Sequence, residues 1–389
     1  MTGNTLGWVI VAFVLYLLMM IAIGAFYAKG NNNSEDYFLG GRKLNGFVAA
    51  LSAQASDMSG WLLMGLPGAI YLTGVGGDGW IAIGLFIGTT LNWLFIATKL
   101  RRYTIRANNS VTLPTYFENR FHDDKKVLMT VSSITIVVFF LVYCASALSA
   151  GGQLFESVFG IDYHVALTIG ALVVLVYTFL GGFTAVCVTD FIQGMLMLVG
   201  ILAVPLFAYH FLTGNGTTLA AGLEASGADS ANFLNLMKNG DGSNNIISVI
   251  SGLGWGLGYF GMPHILVRFM AVRDEKEMTK SKATAISWVA LSLGFAVFIG
   301  ILGRAYLPEL VNGNNEKVFI EMIKKVFTVE MRAPFIAGLF LCGILAAIMS
   351  TADSQLLVSA SSVAEDIFKG LLKKDADDKT VMNVSRVTV

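Results

Sequence analysis

The chain predicts an all-α polytopic membrane protein, and three observations in its 389 residues carry that expectation. It is 55% hydrophobic and only 13% charged, with a strongly positive mean hydropathy, outside the composition of ordinary soluble domains. Its apolar residues fall in repeated runs of about 20, the length a helix needs to cross a hydrocarbon core about 30 Å thick. The runs are continuous and lack the alternating pattern of a transmembrane strand, so helices rather than a closed barrel must satisfy the backbone in lipid.

Composition also excludes several function classes. The formal net charge is zero, which gives no global field to draw nucleic acid. Cys144, Cys187 and Cys342 lie far apart inside apolar runs, and the four histidines, at 122, 164, 210 and 264, form no paired metal motif. A disulfide framework, a zinc site and a metal hydrolase are therefore not expected. No nucleophile and base fall at a recognisable spacing, so the chain does not read as an enzyme.

Nine runs read as crossings, at about 6–27, 46–74, 78–99, 127–157, 163–181, 187–212, 245–271, 283–306 and 333–368. No Lys or Arg precedes Lys29 and the first run is too long for a cleaved leader, so it reads as a retained helix. The segment 28–45 leads from it into the second crossing. Loop 213–244 is polar, glycine-rich and nearly free of cations, as an external loop carrying short surface helices would be.

Sorting the 26 Lys and Arg residues by loop fixes the expected orientation. With the segment after the first crossing placed inside, 20 cations fall on that side, Lys29, Arg42 and Arg268 among them. The outside holds Lys238, Arg304, Lys317, Lys324, Lys325 and Arg332. The N-terminus is expected outside and residue 389 in the cytoplasm, within a single transmembrane domain over 1–389.

Three stretches carry functional expectations. A charge at the bilayer centre costs at least about 2.5–3.5 kcal/mol, so it persists where it faces a cavity or binds something. Asp57 is such a charge, in LSAQASDMSGWLLMGLPGAIY (51–71), where small polar residues and Gly60 interrupt the second crossing. Unwound carbonyls there need a partner, which a bound cation or serine hydroxyls would supply. In AAIMSTADSQLL (346–357), Ser350 and Thr351 stand beside Asp353 in the ninth crossing. Such oxygens suit a hard ion such as sodium, and equally a hydrogen bond to a neighbouring helix or to their own backbone. In SGLGWGLGYFGMPHILVRF (251–269), Gly256, Gly258 and Gly261 formally match a dinucleotide fingerprint, but no strand precedes them. With Pro263 they mark a second broken helix instead, on which Trp255 and Tyr259 share a face, as packing residues or as walls of a pocket for a small solute. Two broken crossings five helices apart are expected of a five-helix unit repeated in inverted topology, with 46–212 as the first repeat and 245–389 as part of the second.

ASDMSGWLLMGLPGAIY, GGFTAVCVTDFIQG (181–194), GWGLGYFGMPHILVRFMA and AAIMSTADSQLLVSASSVAEDI together resemble the sodium/solute symporter family, from near residue 5 to the end. The resemblance implies a leucine-transporter-type inverted-repeat fold with one extra N-terminal helix, in the inner membrane of a bacterium. It implies sodium-coupled symport of a small solute, L-proline above all, by alternating access. Carried over by position, it implies a sodium site from the carbonyls of Ala55, Met58 and Ala347 and the hydroxyls of Ser350 and Thr351, with Asp57 needed for sodium binding or coupling. It implies a substrate pocket drawing on Ser59, Gly60, Tyr143, Trp255, Tyr259 and Pro263. Asp190 would stand on the cytoplasmic ion path, and Arg42 would influence coupling. Family members continue for about four more crossings, so the fold is expected to be C-terminally incomplete and the sequence part of a longer one. Another small amino acid or carboxylate as substrate, or a membrane module that senses a solute without moving it, stays open as an alternative.

Overall fold

The computed structural model describes residues 3–27 and 33–389; Lys29 lies outside the described residues. The chain is almost wholly helical. Among the described residues, six helices are long and apolar enough to cross a membrane: α1 (Gly3–Tyr27), α5 (Val75–Arg106), α7 (Val127–Phe159), α9 (Gly182–Gly214), α14 (Glu275–Tyr306) and α16 (Pro334–Leu372). A seventh span forms if α12 (Ile246–Gly254), its 3-10 continuation Trp255–Gly261 and α13 (Pro263–Ala271), bent by 47°, count as one.

The remaining apolar runs are helical as well. α3 (Gly46–Gly60) passes through a π turn, Trp61–Gly65, into α4 (Leu66–Thr73). Its Ser, Gln, Asp and Gly residues dilute its hydropathy, which is why it is absent from the six. α8 (163–181) continues into α9 through Gly182, whose φ of 61° breaks what is otherwise one helix, Tyr163–Gly214. Short helices complete the chain: α2 (Ser34–Leu39), α6 (Leu113–Phe121), α10 (Leu219–Ala225), α11 (Ser230–Phe233), α15 (Val318–Ile323) and α17 (Asp378–Thr388). α10 and α11 lie in the loop expected to carry surface helices.

Local chemistry explains where these helices begin. The Asn45 side chain accepts from the Val48 N–H at 2.9 Å and caps α3, and Asp274 does the same for α14 through the Glu277 N–H, also at 2.9 Å. Proline opens α6, α13 and α16 within the first two positions, where its missing N–H is not needed.

α16 is the most enclosed span, buried against α1, α3, α7 and α9. Glycines allow α12 and its 3-10 continuation to lie directly on α5. A Cβ on Gly88 would come within 2.5 Å of Gly256 Cα, and one on Gly252 within 2.7 Å of Trp80 Cβ. This is the small-residue packing by which helices associate in lipid, where apolar burial alone offers no drive.

The segments flanking the two broken helices are stitched together at one end. Leu44 N–H donates to Ala271 O at 3.2 Å and Arg273 N–H donates to Leu44 O at 2.9 Å. Glu277 Oε2 accepts from the Gly46 N–H at 2.7 Å, and Arg101 donates to the carbonyls of Val272 and Arg273.

Gly88→Leu is expected to wedge α5 from the 3-10 segment and to lower the monodisperse fraction in fluorescence-detected size exclusion. Gly254→Ala, where a Cβ meets nothing within 4 Å, should leave that profile unchanged.

Candidate functional site

The site grows out of the break in α3. Ser59 sits at φ 49°, ψ −175°, a left-handed region that costs a non-glycine residue about 1–3 kcal/mol and interrupts the i to i+4 ladder. Its hydroxyl oxygen accepts from the Trp61 N–H at 3.1 Å, and Met58 O receives the same N–H. The carbonyls one turn earlier find partners on α16. Ser350 Oγ donates to Ala55 O at 2.8 Å and Thr351 Oγ1 donates to Ser56 O at 2.9 Å. Both hydroxyls also reach Ala347 O, at 3.3 and 3.1 Å. Ala55, Ala347, Ser350 and Thr351 are wholly buried, so four of the expected ion-facing oxygens fall in one hydrogen-bonded cluster. Met58 O lies apart from it, at the break itself.

Asp57 faces the other way, into a cavity of about 560 Å³. Among the described residues its Oδ2 is buried without a hydrogen-bond partner. Ser59, Gly60, Tyr143, Trp255 and Tyr259 line the same cavity. Gly60 is needed as glycine because a Cβ there would press within 2.9 Å of Ile348 Cγ1 on α16. Trp61 and Trp255, one from each broken helix, stack with centroids 5.8 Å apart and planes 20° from parallel. Asn92 on α5 donates to Tyr259 O at 2.9 Å and holds the 3-10 segment against the cavity.

Pro263 does not line this cavity. As an opening residue of α13 it points instead into a narrow crevice bounded by Phe38, Phe183, Val358 and Arg268.

Arg268 corrects an expectation. It is not a loop cation but a fully buried residue of α13, paired with the equally buried Asp190 of α9 at 3.0 Å. Asp190 Oδ2 also accepts from Ser52 Oγ at 2.7 Å and Ser56 Oγ at 3.0 Å. The guanidinium further donates to Ser52, Ser354 and the carbonyl of His264. Ser56 thus belongs to both clusters: its carbonyl receives Thr351 and its hydroxyl joins the ion pair. Sequence reasoning missed Arg268, although its place five residues after Pro263, inside the seventh apolar run, was a usable signal. Ser52, Ser56 and Ser354 gave none beyond being small and polar.

Arg42 lies outside the spans, in a 3-10 turn before α3, and is almost fully buried. It donates to Asn109 Oδ1 (3.1 Å), Thr104 Oγ1 (3.3 Å), Met270 O (2.9 Å) and Ser110 O (2.8 Å), and pairs with Glu35 at 3.4 Å. Burial lowers its guanidinium to about 10, so it remains cationic at neutral pH.

A helical bundle with two interrupted helices meeting at an inner cavity is the architecture of a secondary transporter. The fold agrees with that class. Over 98% of this chain and 79% of the other, it superposes on a Na+-coupled sialic acid symporter in a substrate-bound outward-open state with a TM-score of 0.81 at 21% identity. A nucleobase-cation-symport-1 family transporter in a closed conformation gives 0.55 at 15% identity, over 92% of this chain and 73% of that one. The fold is of the leucine-transporter type.

The sodium:solute symporter family model matches residues 37–389, and the chain belongs to that family. It is 44% identical over 386 residues to the sodium/proline symporter of Escherichia coli strain K12, covering 98% of this chain and 74% of that protein. It is also 44% identical over 372 residues to a high-affinity proline transporter of Bacillus subtilis strain 168, covering 95% and 76%. The protein is a multi-pass membrane transporter and not an enzyme.

Arg268→Met, which strands Asp190 as an unpaired buried charge, is expected to destabilise the fold by about 3–5 kcal/mol, read as a lower melting temperature in detergent. Pairing it with Asp190→Leu should recover part of that loss.

Proposed function

We propose that this protein carries L-proline into the cell together with sodium by alternating access. One observation carries the reading. The break in α3 turns carbonyls toward the hydroxyls of Ser350 and Thr351 on one side and opens a solute-sized cavity at Asp57 on the other. An ion held by the first set of oxygens therefore acts on the same strained turn that shapes the substrate's cavity. Relatives named as proline transporters, at 44% identity, support proline as the substrate.

In this reading sodium is held by the carbonyls of Ala55, Met58 and Ala347 and the hydroxyls of Ser350 and Thr351, with Asp57 assisting from the cavity side. The two hydroxyls rotate their protons away from the carbonyls and present lone pairs to the ion. Neutral oxygens suit a hard cation that must bind and leave again. Proline occupies the cavity among Ser59, Gly60, Tyr143, Trp255 and Tyr259. Asp190 stands on the route by which sodium reaches the cytoplasm, and Arg42 ties α3 to the cytoplasmic ends of α5 and α13.

Nine crossings, with the N-terminus outside and residue 389 inside a bacterial inner membrane, accommodate this arrangement. Helices within 46–212 form one repeat, and those within 245–389 belong to its inverted counterpart. By linkage, sodium bound between α3 and α16 favours the cavity that accepts proline, and proline in turn favours inward opening. Moving one charge through 100 mV supplies about 2.3 kcal/mol, and a tenfold sodium gradient adds roughly 1.4 kcal/mol. Together, about 3.7 kcal/mol sustains a few-hundredfold accumulation of a neutral zwitterion with one ion per substrate.

Labelled proline uptake tests the assignment. Replacing Na+ with choline should abolish uptake, and excess unlabelled proline should compete where other small amino acids and carboxylates do not. Thr351→Ala and Asp57→Asn should each raise the sodium concentration for half-maximal uptake about tenfold or more. Unchanged sodium dependence in both sinks the ion site. Trp255→Ala should raise KM for proline at saturating sodium, and an effect on expression alone would leave Trp255 a packing residue.

A further inference from the structure

The substrate cavity is lined by two carboxylates, and among the described lining residues no Lys, Arg or His balances them. Asp57 stands at its depth. Glu316 stands at its mouth, on the short 3-10 turn Asn315–Lys317 that precedes α15, and is exposed. Backbone contacts rather than an ion pair set its position. Asn315 Nδ2 donates to Gly68 O at 3.0 Å, and the Glu316 N–H donates to Asn314 Oδ1 at 3.1 Å. Gly68 on α4 lets the turn lie close, since a Cβ there would sit 3.0 Å from Glu316 Cα. Neighbouring Lys317 does not line the cavity, and no ion pair of Glu316 occurs among the described residues.

We propose that Glu316 is a specificity residue, an outer carboxylate that admits solutes by their cationic nitrogen. The proposal rests on the reading of this cavity as the substrate's and deepens it by naming the chemical class: small molecules that carry a protonated amine or imine beside their carboxylate. The Glu316 carboxylate at the mouth, with the carboxyl oxygens of Asp57 deeper in the same passage, sets a negative field along it. That field draws an ammonium group inward and repels a solute presenting a carboxylate alone. An exposed contact of this kind is worth roughly a two- to fivefold effect. Discrimination against plain carboxylates is shared between Glu316 at entry and Asp57 beyond it.

Initial rates of proline uptake at saturating sodium, measured across ionic strength for wild type, Glu316→Gln and Glu316→Asp, test this. Tetrahydrofuran-2-carboxylate, which replaces the ring nitrogen with oxygen and so lacks the cation, serves as the competing probe. Glu316→Gln is expected to raise KM for proline roughly two- to fivefold at low ionic strength, with the change in KM rather than kcat. The gap should close toward about 1 M salt, where the screening length falls to about 3 Å, and Glu316→Asp should keep most of the wild-type affinity. The preference for proline over the oxygen analogue should narrow by the same factor. A KM that is unmoved at low ionic strength, or an unmoved preference, overturns the proposal. So does a shift in half-saturating sodium with KM unchanged, which would assign the carboxylate to the ion. Wild type that takes up no proline overturns the proline reading itself, and this proposal with it.

Discussion

A carbonyl left without a partner in an apolar interior is the constraint around which this molecule is arranged. Within a membrane, water is not there to satisfy the backbone, so a helix that breaks at mid-depth must be met by other polar groups. Ser59 breaks α3, and the hydroxyls of Ser350 and Thr351 meet the carbonyls of Ala55 and Ser56. That requirement explains why α16, though long and apolar overall, carries a polar centre and is the most enclosed span. It also explains the helices packed around α16, since polar groups facing lipid would cost far more than polar groups facing one another.

The second buried feature, the pair of Arg268 and Asp190, extends the same logic one turn further. Two full charges without solvent are held by geometry: three serine hydroxyls and a carbonyl bond to the guanidinium and to Asp190 Oδ2, while Asp190 Oδ1 has no hydrogen-bond partner among the described residues. Such a pair adds little net stability compared with apolar residues of equal volume, but it fixes the register of α3, α9, α13 and α16. Ser56 joins the pair to the hydroxyl cluster through the two ends of one residue. Any rearrangement at the break is therefore felt by the ion pair.

Much of this was legible in the sequence because bilayers impose simple rules. Run length pointed to long apolar helices, and Ser, Gly and Asp in the second run marked its break. The kink before Pro263 followed from the proline's missing N–H and the glycines preceding it. What was not legible depends on pairing across long sequence separations. Nothing local to Arg268 says that Asp190 awaits it, although the seventh run, 245–271, encloses it. Pro263 shares a stretch with Trp255 and Tyr259, yet the 47° bend carries it out of the cavity they line. Glu316 carries no local signal in the sequence, and only the fold of its turn over Gly68 brings it to the cavity mouth.

The stitching of Leu44 to Ala271 and Arg273 has a mechanical consequence. Two backbone hydrogen bonds splice the start of α3 to the end of α13, so these half-helices form a single lever rather than two independent ones. Tilting either alone would tear both bonds and leave Leu44's N–H and carbonyl, with their two partners, unpaired. At this end the two broken helices are thus coupled through the backbone, and displacing one strains the bonds to the other.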